Sequence, residues 1–99
     1  MVKVLKPYRE KIDQLDNEIV DLLVQREKII REVADVKYDH NIDPVLLDRV
    51  AEVRERCVAR AQDQGSDGNY VRETYKKLID LSCALEEEII ALKSCKKAS

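Results

Sequence analysis

Along the first third of the chain, side chains at alternating steps of four and three residues read Tyr8, Ile12, Leu15, Ile19, Leu22, Arg26, Ile29, Val33 and Val36. That spacing lays a single stripe along an α-helix and predicts one from Tyr8 to Lys37, running on to Tyr38 or Asp39. Pro7 falls in its first turn, where a missing N–H costs nothing. Asp39-His40-Asn41-Ile42 reads as a connector. Asp43-Pro44 then reads as N-cap and first residue of a second helix, with its stripe at Leu47, Val50, Val53 or Arg54, Cys57, Val58 and Ala61. Gly65 ends it. Ser66 or Asp67 caps a third helix, which carries Tyr75, Leu78, Ser82, Leu85, Ile89 and Leu92 along one face.

The expected fold is therefore all-α, one long helix and two shorter ones, in a single domain over residues 1–99. At ~1.5 Å per residue the long helix spans ~45 Å, more than the width of a compact monomer of this size. Two shorter helices of the same chain cover only part of that length, so a homodimer that pairs the long helices is the economical solution.

Composition narrows the function classes. A net charge of −2 leaves no strongly basic face for nucleic acid. Cys57, Cys83 and Cys95 are odd in number and include no CxxC pair, which fits free thiols in a reducing cytoplasm. No window reaches the ~20 apolar residues of a membrane span, and the N-terminal residues form no signal-peptide core, so a cytoplasmic location is expected. Metal-ligand, nucleophile and phosphate-loop motifs are absent, and the lone His40 takes no role.

Chemistry enters through polar residues on apolar faces. Arg26 sits in the long stripe where Leu or Ile would complete it, and a buried guanidinium cannot escape by losing its proton. Lys37, eleven residues on, points roughly the same way at ~100° per residue, whereas Arg9, seventeen residues before Arg26, falls roughly 100° away. Ser82 and Glu86 share a face of the third helix, and Arg49 can turn inward from the second. Converging, these groups form a pocket for a small dianion, to which Arg9 of a symmetry mate adds a third arginine. The plainer alternatives are a structural ion pair of Arg26 with Asp16 or Glu18 of a partner helix, a helix-dipole role for Lys37, a surface Arg49, a small Ser82 at a helix crossing, and a solvated Glu86-Glu87-Glu88 run.

The run Tyr8-Arg9-Glu10-Lys11-Ile12-Asp13-Gln14-Leu15-Asp16, then Leu22-Leu23-Val24-Gln25-Arg26, Lys37, Arg49, Leu81-Ser82 and Glu86, resembles the all-helical class of chorismate mutases over about Leu5 to Ile90. The resemblance implies an intertwined homodimer of three-helix chains, each active site completed by Arg9 of the other chain. It implies the [3,3] rearrangement of chorismate to prephenate in the shikimate pathway of aromatic amino acid biosynthesis, without cofactor or metal. It also implies roles: Arg9 and Arg26 grip the substrate carboxylates, Lys37 contacts a carboxylate and the ether oxygen, and Arg49 and Ser82 complete the clamp.

Two positions depart from the family pattern. Glu86 stands where many bacterial members have Gln, and a carboxyl donates a hydrogen bond only when protonated. Val50 stands where many have a Glu that holds the ring hydroxyl, and Leu46 replaces another polar residue. Asp48-Arg49-Val50-Ala51 with Glu86 looks equally like isochorismate pyruvate-lyases and 4-amino-4-deoxychorismate mutases, although Val50 offers no counter-charge to a 4-ammonium group. A non-catalytic helical dimerisation module is the alternative of a different class.

Overall fold

The computed structural model describes residues 2–98 as three α-helices, α1 (Val2–Asp39), α2 (Leu47–Asp63) and α3 (Asn69–Ala98), with no strand among the described residues. α1 starts at Val2 instead of at Pro7, so Pro7 lies inside the helix. The proline forfeits only the bond its N–H would have made to Lys3, close enough to the helix start for the preceding turn to hold. α1 ends in a capped turn: Asn41 adopts a left-handed φ of 54°, and the Ile42 N–H reaches back to the Lys37 carbonyl at 2.8 Å.

The second helix differs from expectation at its start. Asp43 caps a turn, its Oδ1 accepting the Val45 N–H at 2.9 Å, and α2 begins only at Leu47 behind an extended Leu46. The Pro44 carbonyl is turned toward the Lys37 ammonium and is lost to any helix start there. Leu47 consequently projects outward.

Gly65 and Gly68, both at φ +90°, shape the next connection. The Ser66 N–H returns to the Ala61 carbonyl and the Gly65 N–H to that of Gln62, so α2 closes as the sequence anticipates at Gly65. Asp67 Oδ1 accepts the Asn69 N–H at 2.8 Å, capping α3. A Cβ on Gly68 would lie 2.8 Å from Val58 Cγ1, so the absent side chain is what lets this turn press onto α2.

α1 and α2 each pack on α3 and not on each other. The buried apolar set is small, Ala34, Val58, Ala61 and Ile79, joined by the carboxyl-bearing Glu86. Ile79 was not on the predicted α3 face, because α3 is contacted on two sides and the sequence stripe captured the side toward α1. Leu92, on the predicted face, is exposed. The radius of gyration is 17.7 Å, against about 13 Å for a compact chain of this length. The accessible surface is 8110 Å², against about 5,800 Å² for a typical folded monomer of this mass. The surplus includes the N-terminal part of the α1 stripe: Tyr8, Ile12, Leu15, Ile19 and Leu22 are each more than half exposed.

Candidate active site

Arg26 and Lys37 stand about three turns apart on the same side of α1, as their spacing requires. Both face a cavity of about 400 Å³ whose other walls come from the connector, α2 and α3. Arg49, Val50, Ser82 and Glu86 line the same cavity, together with Ile29, Ile30, Val33, Pro44, Leu46, Val53, Ile79 and Cys83. Six of the seven residues singled out from the sequence thus meet at one place in one chain. The volume lies within the range of small-ligand sites, and the lining is apolar with few polar groups, which gives those groups leverage over orientation.

Each polar group is held by its neighbours. Arg26 Nη1 donates to Ser82 Oγ, and that hydroxyl donates in turn to the Leu78 carbonyl at 2.9 Å. Ser82 is thereby fixed as an acceptor, taking one of the five N–H donors of the guanidinium. The Lys37 ammonium sits 3.0 Å from the Pro44 carbonyl, to which it donates, and 2.7 Å from Glu86 Oε1. The latter approach is an ion pair by distance but lacks hydrogen-bond alignment, so Glu86 Oε1 is buried without a well-directed donor. The side chains are 15% and 6% exposed respectively, so both charges are largely withdrawn from solvent.

Arg49 is less committed. Its guanidinium pairs with Glu52 at 2.9 Å and is 59% exposed, so it borders the cavity mouth and points largely away from it. Arg9 does not line the cavity. It is exposed on α1, about 25 Å along the helix from Arg26 at the standard rise.

Two contributors escaped sequence reasoning. The Pro44 carbonyl is a backbone group whose direction is set by a turn, where the sequence had Asp43-Pro44 as the N-cap and first residue of the second helix. Cys83 follows Ser82 and occupies the α3 side toward α2; burial, then the neighbouring Glu86 carboxylate, push its thiol pKa up. Among the described residues no group of His, Cys, Asp and Glu is arranged to hold a metal ion, and no helix is long and apolar enough to cross a membrane.

The cavity presents two cations and one carboxylate on an aliphatic background, with Arg49 a third cation at its mouth, a surface suited to a small molecule with more than one negative charge. No solved structure gives a significant match to this chain. Among curated proteins it is similar to a 4-amino-4-deoxychorismate mutase of Streptomyces pristinaespiralis, 29% identical over 87 residues covering 88% of this chain and 67% of that protein. It is also similar to a chorismate mutase of Methanocaldococcus jannaschii, 26% identical over 90 residues and 91% of each chain. A 4-amino-4-deoxychorismate mutase of Streptomyces venezuelae is 26% identical, with 91% of this chain and 87% of that protein covered. The family model for chorismate mutase type II matches residues 8–87, a span that holds every polar residue of the cavity, and the chain belongs to that family.

Proposed function

We propose that this protein is a chorismate mutase, an isomerase that holds chorismate folded so that its ether C–O bond breaks as the new C–C bond of prephenate forms. The observation that carries the reading is the pair of cations on one side of α1, Arg26 and Lys37, on the wall of one cavity sized for a small ligand. Such a reaction needs no proton relay or covalent intermediate, and what a protein can supply is a bound conformer and charge stabilisation where the ether oxygen becomes negative.

In this reading Arg26 binds a carboxylate while Ser82 keeps the guanidinium oriented. Lys37 contacts a carboxylate and the ether oxygen, Glu86 lies beside that contact and can donate to the same oxygen only when it carries a proton, and Arg49 swings from Glu52 to close the anion clamp. Val50 offers an apolar surface to the ring. A second copy of the chain covers the exposed α1 stripe and brings the partner's Arg9 to the far side of the substrate. The small buried core, the surplus accessible surface and the position of Arg9 far from its own cavity support that arrangement.

A second reading, 4-amino-4-deoxychorismate mutase on the same site, is favoured by the names of the two Streptomyces relatives. The test is to incubate the purified protein separately with chorismate, 4-amino-4-deoxychorismate and isochorismate and to identify the products. Prephenate from chorismate is expected; exclusive turnover of the amino compound would replace the first reading by the second, and turnover of none would end both.

A further inference from the structure

The segment between α1 and α2 wraps one residue from two directions. Through its backbone, the Ile42 N–H caps the Lys37 carbonyl at 2.8 Å, with Asn41 in the left-handed conformation that this closure needs. Through its side chain, the Lys37 ammonium donates to the Pro44 carbonyl at 3.0 Å. The direction of that carbonyl is itself set by Asp43, whose Oδ1 accepts the Val45 N–H across Pro44 at 2.9 Å. Proline contributes a fixed φ and no competing donor, so the Asp43–Val45 bond closes a short, stiff loop around the carbonyl.

We infer that Asp43 is a positioning residue: its turn aims the Pro44 carbonyl, which holds the Lys37 ammonium against the cavity wall. This rests on the reading of Lys37 as a substrate contact, and it adds the means by which a flexible lysine is kept in one place. An ammonium has three donors. One is on Pro44, a second faces Glu86 2.7 Å away, and the third remains for an anion in the cavity. A lysine tethered at its own carbonyl and at Nζ has lost most of its rotamer freedom before any ligand arrives, which is the condition for strong electrostatic stabilisation. Asp43 lies outside the set of cavity-lining residues, so its effect on the site must pass through the carbonyl.

The test compares Asp43→Ala, which removes the acceptor, with Asp43→Asn, whose carbonyl oxygen can take the same N–H. With the substrate that the wild-type protein turns over, Asp43→Ala is expected to lower kcat about tenfold with KM changed less than about threefold, since misplacing a preorganised group is felt mainly in the transition state. Asp43→Asn is expected to restore kcat to near the wild-type value, while the melting temperatures of all three proteins agree. Wild-type kcat in Asp43→Ala, or an Asp43→Asn variant as impaired as the alanine, overturns the inference.

A second readout needs no substrate. Nitrogen-15 NMR of the lysine ammonium groups, with the Lys37 signal assigned by its loss in Lys37→Arg, follows the exchange of the Nζ protons with water. Asp43→Ala is expected to speed that exchange for Lys37 and for no other lysine; unchanged exchange also overturns the inference. If exchange responds but the wild-type protein converts none of the three substrates, the proposed function falls while the positioning stands.

Discussion

Lys37 Nζ and Glu86 Oε1 approach to 2.7 Å across the junction of α1 and α3, the only ion pair among the described residues in which both side chains are below one-fifth exposed. Neither charge is well placed to be left alone. Lys37→Met is expected to destabilise the protein by about 2–3 kcal/mol at neutral pH, because it strands a buried carboxylate, and Lys37→Met with Glu86→Leu should recover much of the loss. Urea unfolding of the two single variants and the double variant gives the coupling directly; strictly additive losses would mean that the pair does not interact.

The same carboxyl is open to a direct exchange. Glu86→Gln keeps the size of the side chain and always carries N–H donors, so it should turn over at least as fast as the wild type if this position donates to the substrate, whereas Glu86→Leu, which cannot donate, should be slower by about tenfold or more. Steady-state rates for the three proteins decide it. Equal rates for the glutamine and leucine variants remove Glu86 from the donor role.

Arg26 separates an enzyme from a helical assembly module. With catalysis at this cavity, Arg26→Leu should keep the helical circular dichroism and lose on the order of a hundredfold or more in kcat/KM. If the chain serves only to associate, the same change relieves a half-buried charge and leaves the protein as stable or more so.

Arg9 and Arg26 should complement each other in trans. Arg9→Ala and Arg26→Ala are each expected to be inactive as homodimers, but after mixing, unfolding and refolding, half of the dimers are mixed and each of these holds one intact site, so activity should return to about a quarter of wild type. Size-exclusion chromatography with light scattering is expected to give a mass of two chains. Absence of any recovery in a dimeric mixture would place Arg9 outside the site.

The two glycines after α2 predict a graded stability series. Gly65→Ala meets open space and carries only the cost of a left-handed alanine, about 1 kcal/mol, whereas Gly68→Ala adds a Cβ 2.8 Å from Val58 Cγ1 and should cost about 2 kcal/mol or more. Thermal melts of the two variants compare them. Equal losses would show that Val58 moves aside freely.

Much of this site was legible in the sequence because a helix has fixed arithmetic. Arg26 and Lys37 share a face once the stripe is recognised, and Ser82 and Glu86 follow from a four-residue step on α3. Arg9 was legible as a misfit for the same reason, its angle to Arg26 being wrong for a shared pocket. Less was visible where the backbone leaves the helix: Asp43-Pro44 has the composition of a helix start, yet Asp43 accepts the Val45 N–H and closes a turn whose Pro44 carbonyl meets Lys37, and the helix begins at Leu47. Ile79 was missed because a helix contacted on two sides has no single stripe; Arg49 was placed at the cavity correctly, but spacing says nothing about whether its long side chain turns inward or pairs with its own neighbour Glu52.

α1 and α2 each rest on α3 and face each other only across the cavity, so the width open to a ligand is fixed by how α3 and the connector space the two helices. A substitution that shifts α2 on α3 therefore resizes the binding space without altering the helix that carries Arg26 and Lys37.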